Sequence, residues 1–271
     1  MKKLLIIFSL VMISFGANAQ LDIGGFFGTS FYMGDLNPDY PFLESNLAYG
    51  AVARYNINSR WAIRINGFKG VITGDDERSK FFEERSLRFK SSIWELGGTF
   101  EFNFLQYYTG SLKDYYTPYL FAGFALLYNR PKIGNIELRE KSTEGQDDPS
   151  QLVPYEARPK YSYFNLSIPF GIGFKYSFSK RISASFEWGM RKTFSDYIDD
   201  VSTTYYQSAS NLVPGTEEYN DLQFSDPNLN HEPNMQRGNS KTKDWYSFAG
   251  LTITYSVNLK NRNKCSEFQE N

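Results

Sequence analysis

Apolar and polar residues alternate along most of this chain, and the alternation is clearest near its C-terminus. Every second position from Leu251 to Leu259 is apolar, whereas the positions between them carry Thr, Ser or Asn. A period of two residues with one apolar face is typical of a β-strand and not of a helix. Segment 117–129 is apolar on both faces, so its pattern predicts a strand but not the face that it buries. Eight predicted strands can be recognised in all: 21–32, 47–57, 61–72, 92–104, 117–129, 163–178, 181–194 and 245–259.

The connections between these segments alternate in length. Those after the second, fourth and sixth segments are short: 58–59, 105–115 and 179–180. Those after the first, third, fifth and seventh are long: 33–46, 73–90, 130–162 and 195–244. Short turns at one end and long loops at the other are typical of outer-membrane barrels, whose termini lie at the periplasmic, short-turn end. The sequence therefore predicts an all-β fold, an eight-stranded antiparallel transmembrane β-barrel over residues 20–259.

The polar face of the predicted strands carries charges of both signs. A soluble barrel would place its apolar face inward and its polar face outward. Charges on one face would be costly in a dry core, but they can neutralise one another in a narrow lumen. Eight strands enclose an interior just wide enough for side chains, so we expect ion pairs that plug the barrel and not a channel. The predicted lumen network is Arg54, Arg64, Glu95, Glu101, Lys175, Glu187 and Arg191.

Aromatic residues near the predicted strand ends suit the girdles that barrels place at the two membrane interfaces. The strand propensity of aromatic residues is an alternative explanation for some of these positions. The candidates are Trp61, Trp94, Trp245, Tyr55, Tyr176 and Tyr255.

The first 19 residues have the pattern of a secretory signal peptide. Two lysines at positions 2 and 3 precede an apolar run over 4–13, and Ala17-Asn18-Ala19 supplies a small-x-small cleavage pattern. The apolar run is too short to cross a bilayer as a helix. We therefore expect export, cleavage after Ala19, a barrel from Gln20 and a periplasmic tail over 260–271.

Composition supports the barrel and excludes other classes. Aromatic residues make up 18% of the chain, with 24 Phe and 20 Tyr beside 21 Gly, which fits barrel strands. A single cysteine excludes a disulfide scaffold. Loss of the two signal-peptide lysines moves the formal net charge from −1 to −3, which gives no support to nucleic-acid binding.

Few residues offer catalytic or metal-binding chemistry. His231 is the one histidine of the chain and lies in the longest loop, where we interpret it as solvated and not as a general base. Cys265 follows the last strand and is interpreted as a free thiol without a redox role. Asp196, Asp199 and Asp200 could suggest Ca²⁺, but they lack the alternating oxygen ligands and turn glycine of a known calcium loop, so we expect a solvated cluster. The sequence thus predicts no catalytic residue, cofactor, metal or small-molecule substrate.

Six motifs in order resemble the PorG family, an outer-membrane component of the type IX secretion system. The likeness extends from residue 21 to about residue 255, and the tail from Lys260 onward has no counterpart. The motifs are Tyr32-Met-Gly-Asp-Leu-Asn-Pro38, Phe100-Glu-Phe-Asn-Phe104, Thr117-Pro-Tyr119, Thr143-Glu-Gly-Gln146, Ile168-Pro-Phe-Gly171 and Thr193-Phe-Ser-Asp-Tyr-Ile-Asp-Asp-Val-Ser202.

The resemblance implies a non-enzymatic role in protein secretion and gliding in Bacteroidota. The barrel would be anchored in outer-membrane lipid and associated on its periplasmic side with a ring of lipoprotein and partner subunits. The alternatives are a stand-alone barrel that binds a surface or ligand through its long loops, and a minor porin.

The turn over 105–115 is longer than the other two predicted periplasmic turns. Tyrosine is favoured at binding surfaces because it brings a large contact area with a polar tip. We therefore expect exposed tyrosines on this turn, together with the basic tail, to bind the periplasmic ring; the alternative is that the tyrosines extend the interfacial girdle. The candidate partner-binding residues are Tyr107, Tyr108, Tyr115, Tyr116, Lys260, Arg262 and Lys264.

Overall fold

The computed structural model describes residues 20–146 and 159–258. The predicted signal peptide and the tail over 260–271, with Cys265 and the three basic candidates for partner binding, lie outside the described residues. The long loop over 195–244, which shows no alternation, is described throughout.

Nine strands form one sheet that closes on itself. The strands are β1 (Gln20–Met33), β2 (Asn46–Asn56), β3 (Trp61–Asp75), β4 (Arg88–Asn103), β5 (Tyr116–Ile133), β6 (Ile136–Glu137), β7 (Phe164–Ser177), β8 (Ile182–Thr193) and β9 (Trp245–Asn258). Strands β1 to β5 pair in chain order, β5 pairs with β7, and β9 pairs with both β8 and β1, always in an antiparallel manner. The result is an eight-stranded antiparallel barrel, as the alternation predicts. The short strand β6 pairs only with the end of β5 and is not part of the closed barrel.

Short helices occur only in the long loops of the described chain. Helix α1 (Asp76–Ser79) begins beside the Asp75 side chain, which accepts a hydrogen bond from the Glu77 amide. Helix α2 (Glu217–Ser225) begins at Thr216, whose hydroxyl accepts from the Tyr219 amide. Among the described residues, no helix is long and apolar enough to cross a membrane.

Three strands extend further into the long loops than the alternation predicts. Strand β3 continues to Asp75, β4 begins at Arg88, and β5 continues to Ile133. Backbone pairing persists there without an apolar face, because ladder hydrogen bonds do not depend on side-chain polarity. The apolar–polar contrast that identifies a strand is therefore lost before the strand itself ends.

The outer wall is apolar and exposed along the middle of every strand. Leu96, Phe124 and Phe27 are 63%, 73% and 65% exposed. The adjacent inward residues Glu95, Ala125 and Phe26 are buried. A continuous apolar surface of this kind marks a lipid-facing wall. The pattern of β5 did not predict which of its faces is buried. In the structure, Tyr119, Phe121 and Leu127 point inward.

The interior has two halves of different chemistry. The half toward the short turns is charged, whereas the half toward the long loops is apolar and centres on Phe26, Phe68 and Phe248. The ring centroids of Phe26 and Phe68 are 4.5 Å apart, and those of Phe68 and Phe248 are 5.3 Å apart. The expectation of a polar lumen is therefore wrong for this half. The physical reason is that Leu36 and Ile198 from the loops pack onto the inward rings, so that a conventional apolar core forms under a folded cap.

Candidate functional site: the plugged interior and its loop cap

Glu101 is the centre of the charged half of the interior. Its carboxylate lies 2.7 Å from Arg54 Nε, 2.6 Å from Lys175 Nζ and 3.3 Å from Arg64 Nε. All four side chains are buried. Strands β2, β3, β4 and β7 thus each contribute one charge to a single cluster, and the three cations share one carboxylate.

Two further carboxylates compensate the remaining positive charge. Glu187 forms an ion pair with Arg64 and accepts a hydrogen bond from the Tyr119 hydroxyl at 2.8 Å. Glu95 Oε2 lies 3.1 Å from Arg191 Nε, while its Oε1 accepts from the Asn66 amide at 2.8 Å. Both oxygens of Glu95 therefore have polar partners, which compensates its lost hydration. Glu187 receives both of its partners on Oε2, and its buried Oε1 accepts no hydrogen bond within the described residues.

Asp22 completes this network, although it was not among the predicted lumen charges. It is buried on β1, accepts a hydrogen bond from the Asn56 amide at 2.7 Å and accepts another from Ser256. Its inward position in the alternation of β1 was the available signal. With Asp22 included, four anions face the four cations of the network within the described strands.

Side chains from opposite walls meet across the barrel axis. In the circular strand order, β3 lies four strands from β8, and β4 lies four strands from β9. Arg64 of β3 contacts Glu187 of β8, and Glu95 of β4 accepts a hydrogen bond from Tyr246 of β9 at 2.8 Å. Because these contacts join diametrically opposite strands, they fill the lumen with side chains.

Above the apolar half, the long loops form a polar cap with buried carboxylates. The Tyr32 hydroxyl donates to Asp199 and lies 3.3 Å from Asp244 Oδ1. The backbone amide of Ile198 donates to Asp244 Oδ2 at 3.0 Å, and that of Val201 donates to Asp199 Oδ1 at 2.9 Å. Burial raises the pKa of both carboxyls well above their usual range, and the negative charges nearby add to the shift.

Glu144 ties two long loops together in the same cap. Its Oε1 accepts hydrogen bonds from the Ser202 amide at 2.9 Å and from Arg237 at 3.1 Å. The Thr143 hydroxyl donates to Asp200, which also accepts from Tyr161 at 2.6 Å. The segments 143–146 and 193–202, which carried two of the six motifs, therefore fold against each other. The motifs were the only signal for Glu144, which composition and spacing did not single out.

The three acidic residues expected to be a solvated cluster are buried instead. Asp200 and Asp199 have almost no exposed surface, and Asp196 accepts a hydrogen bond from the Ser202 hydroxyl at 2.6 Å. Burial raises the pKa of Asp196 to about 6 and that of Asp200 to about 6. The solvated interpretation is wrong because the loops pack inward over the barrel. Within the described residues, no group of three His, Cys, Asp or Glu side chains could hold a metal ion.

His231 is also partly buried and not simply solvated. Its ring stacks on Tyr205 with centroids 4.2 Å apart, and Nδ1 lies 2.8 Å from Asp226 Oδ1. The imidazole therefore stabilises loop 195–244 through a carboxylate and an aromatic ring, and its polar contact is with an aspartate and not a serine.

A half-open cavity of about 1280 Å³ lies where the cap meets the rim of the barrel. Met33, Met190 and Trp245 form its apolar floor, whereas Arg85 and Arg237 lie on its loop side. No sequence pattern pointed to this cavity, because residues from three separate loops surround it.

At the other end of the barrel, the turn over 104–115 folds back beneath the lumen. The Tyr107 amide donates to the Ser59 carbonyl at 3.1 Å, and the Gly110 amide donates to the Ser177 hydroxyl at 2.7 Å. Tyr107 is consequently buried, with its ring 5.8 Å from Lys175 Nζ. The expectation that Tyr107 is exposed is therefore wrong.

The other three tyrosines of that region lie at the surface. Tyr108 and Tyr116 are exposed, whereas Tyr115 is half-buried between neighbouring rings. The centroid of Tyr115 lies 5.1 Å from that of Tyr116 and 5.4 Å from that of Tyr176. Tyr115 and Tyr116 therefore extend an aromatic row on the outer wall, while Tyr108 projects from the turn itself.

The aromatic residues proposed as girdles lie on the outer wall. Trp61, Tyr176 and Tyr255 are exposed near the short-turn end, and Trp94 is exposed nearer the long-loop end. Tyr55 and Trp245 are half-buried at their strand ends.

Solved barrels provide the structural comparisons. The N-terminal β-barrel domain of Pseudomonas aeruginosa OprF has a TM-score of 0.39 and 11% identity, over 89% of this chain and 98% of that chain. Neisserial surface protein A (NspA) has a TM-score of 0.42 and 7% identity, over 89% and 98%. Pseudomonas aeruginosa OprG has a TM-score of 0.39 and 10% identity, over 89% and 96%. Comparison with curated protein sequences gave no match.

One family model spans most of the chain. It is described as a domain of unknown function, DUF6089, and it matches residues 1–221. This range contains seven of the eight barrel strands and the first part of loop 195–244. The chain is therefore a member of the DUF6089 family.

Proposed function

We propose that this outer-membrane barrel is a non-enzymatic component of the type IX secretion machine that anchors a periplasmic lipoprotein ring. The six motifs that resemble the PorG family support this proposal, and two of them interlock through Glu144 in the loop cap. In the proposed orientation, the short turns and both termini face the periplasm and the long loops face outward.

The filled interior is the observation that carries the anchoring role. Ion pairs and hydrogen bonds join opposite strands at Arg64–Glu187 and Glu95–Tyr246, and loop and turn close the two ends. A barrel of this kind is suited to hold a complex at the membrane and not to conduct its cargo. The same observation argues against a porin, which would show steady, ohmic conductance in planar bilayers.

The docking surface proposed for the ring lies at the short-turn end. Tyr108 and Leu112 project from the turn, and Leu112 is 79% exposed. Tyr115 and Tyr116 continue the surface on the adjoining wall. Tyr107 is excluded from this surface because its ring closes the lumen. The basic residues of the tail, Lys260, Arg262 and Lys264, would add electrostatic attraction on the same side.

Co-purification tests this surface. Tyr108→Ser with Tyr115→Ser, combined with removal of residues 260–271, should abolish recovery of the ring and leave a folded, heat-modifiable barrel. Tyr40→Ser with Tyr49→Ser removes two exposed tyrosines from the long-loop end and should leave recovery unchanged. Normal recovery of the ring with the first variant would show that the turn and tail are not the docking surface.

Deletion of the gene tests the secretion role independently of docking. Loss of secreted cargo, restored by the full chain, is expected if the barrel belongs to the machine. Normal secretion in the deletion strain would refute that role.

The cavity of about 1280 Å³ favours one alternative, a stand-alone barrel that binds a ligand or surface through its loops. Its mixture of apolar floor and charged loop wall is typical of a binding site. In that case, variants of the cavity would abolish binding at the cell surface, while deletion of the gene would leave cargo secretion intact.

A further inference from the structure

A row of cations lies on the outer wall of the barrel at its long-loop end. Arg88 and Lys90 occupy successive outward positions of β4, and both are exposed. Lys132 of β5 is the direct cross-strand partner of Lys90. Like charges directly opposite each other on one face of a sheet are destabilising. The fold therefore keeps two lysines together where repulsion between them should favour another arrangement.

The nearby anions compensate Lys132 but not the two cations of β4. Glu137 forms ion pairs with Arg130 and with Lys132, the latter at 3.1 Å. Glu44 lies 3.2 Å from Arg78. Within the described residues, no carboxylate lies within ion-pair distance of Arg88 or Lys90.

Asp75 is the only acid that the register brings opposite Arg88 in the β3–β4 ladder. Its carboxylate accepts a hydrogen bond from the Glu77 amide at 2.9 Å and so caps helix α1. Arg88 and Lys90 therefore have no ion-pair partner among the described residues.

These cations border a notch with a volume of about 370 Å³. Strand β3 contributes Thr73 and Asp75 to its lining, the first loop contributes Glu44 and Ser45, and the β5–β6 hairpin contributes Gly134. The notch is large enough for a phosphate group with its attached glycerol or sugar. The cations that line it, most of them from β4 and β5, can bind such an anion. They are Arg78, Arg88, Lys90 and Lys132.

The notch lies just beyond an aromatic position of the lipid-facing wall. Trp94 is exposed on the same face of β4, four residues toward the membrane from Lys90. Lys69 lies over the Trp94 ring, with Nζ 4.5 Å from its centroid. Tryptophan belongs to the headgroup level of a membrane protein, and long basic side chains near it extend toward the headgroups. The row therefore faces the phosphate level of one leaflet.

We propose that this notch binds the phosphate-bearing headgroup of a lipid in the leaflet at the long-loop end. A bridging phosphate would relieve the repulsion between Lys90 and Lys132 and pair with Arg88, which presents a planar set of donors. The notch continues directly into the lipid-facing wall, so the acyl chains of the same molecule would lie along Trp94 and Leu96. This assignment requires only a membrane-spanning barrel and is independent of a secretion role.

The test uses the full chain folded in phosphatidylcholine nanodiscs, with dioleoylphosphatidic acid or dioleoylglycerol added. These two probes differ only in the phosphate. Phosphatidic acid should be retained as an adduct in native mass spectrometry and should raise the unfolding temperature, whereas dioleoylglycerol should do neither. Arg88→Gln with Lys90→Gln should weaken retention of phosphatidic acid by about tenfold or more, because each juxtamembrane cation contributes to attraction of anionic lipid.

A matched variant separates binding from folding. Lys80→Gln with Lys241→Gln removes the same charge from exposed loop positions at the same end of the barrel and should behave as the wild type. In discs without phosphatidic acid, the Arg88→Gln, Lys90→Gln variant should be at least as stable as the wild type, because it removes the Lys90–Lys132 repulsion.

Three results would overturn the proposal. Equal retention of both lipids would show that the phosphate is not recognised. Undiminished retention by the Arg88→Gln, Lys90→Gln variant would place the lipid elsewhere. Full displacement of phosphatidic acid by an equal concentration of inorganic phosphate would make the notch a site for free anions and not for a lipid.

Discussion

The ion pair between Glu95 and Arg191 offers the sharpest test of the plugged interior. Both side chains are buried, and neither forms another ion pair within the described residues. This isolation matters because Glu101 has three cationic partners, so that no single substitution there yields a matched pair. The perturbations are Glu95→Gln, Arg191→Met and the two combined.

The expected magnitude follows from the geometry. At an effective dielectric constant of about 20, unit charges at the 3.1 Å separation of Arg191 Nε and Glu95 Oε2 attract by about 5 kcal/mol. Glu95→Gln removes that attraction and leaves a buried guanidinium, a change that typically costs about 3–5 kcal/mol. The double variant removes both charges and their desolvation together, so its free energy of unfolding should lie within about 2 kcal/mol of the wild type. Arg191→Met leaves a buried carboxylate at a similar cost, so the double-mutant cycle should give a coupling of at least about 4 kcal/mol.

The assay is reversible urea unfolding in phosphatidylcholine vesicles, followed by tryptophan fluorescence and checked by heat-modifiable mobility in gels. Glu83→Gln, at an exposed position of the loop between β3 and β4, is the control and should change stability by less than about 0.5 kcal/mol. If the double variant loses as much stability as the two single variants added together, Glu95 and Arg191 do not compensate each other. The account of the interior as a network of paired charges would then be wrong.

Three further predictions concern the wall, the cap and the closure of the barrel. Leu251→Arg near the middle of the lipid-facing wall should cost about 2–4 kcal/mol in the same titration, whereas Phe178→Arg at the short-turn rim should cost about 0–1 kcal/mol; equal costs would contradict the membrane position. Burial holds the pKa values of the buried aspartates in loop 195–244 above the ordinary carboxyl range. At a pH between the two ranges, these carboxyls are protonated in the folded cap and ionised in the unfolded loop. The cap should therefore lose stability as pH rises from about 4 to about 6, measured as a urea midpoint that falls in the wild type and stays level when these aspartates are changed to Asn. Gly28→Ala should destabilise the barrel by about 1–3 kcal/mol because its Cβ would lie 2.2 Å from the Ala249 carbonyl oxygen on β9. Gly25→Ala should be close to neutral, because its Cβ would make only an ordinary contact, 3.7 Å from the Gly50 carbonyl oxygen.

The position of the lumen charges was predictable from the sequence. Arg54, Glu101 and Lys175 each occupy the polar phase of an alternating strand, and the period of two residues assigns every member of that phase to one face. The same argument applies to Asp22, whose strand alternates less regularly because glycines interrupt its apolar phase. Eight strands and the sorted loop lengths were predictable for a related reason, since both are properties of consecutive residues.

The pairing of those charges was not predictable in the same way. Arg64 and Glu187 are 123 residues apart and meet only because the sheet closes between β4 and β5 and between β9 and β1. Register and closure together decide which inward side chains reach each other across the axis. Alternation therefore identifies the inward charges and predicts that they neutralise one another, but it does not assign their partners.

The long loops show the limit of local patterns most clearly. The polar sequence around Asp199 and Asp200 is typical of a solvated segment at a strand end. Both residues are nevertheless buried under loops that begin far away in the chain. The sequence around Tyr107 is likewise typical of an exposed turn. The turn nevertheless folds under the lumen and buries the Tyr107 side chain. The sequence by itself determined the barrel, its strand number and its inward charges, because alternation follows from the geometry of a single strand. Only the tertiary structure decided the burial of the loops and turns, because burial depends on which distant segments cover a residue.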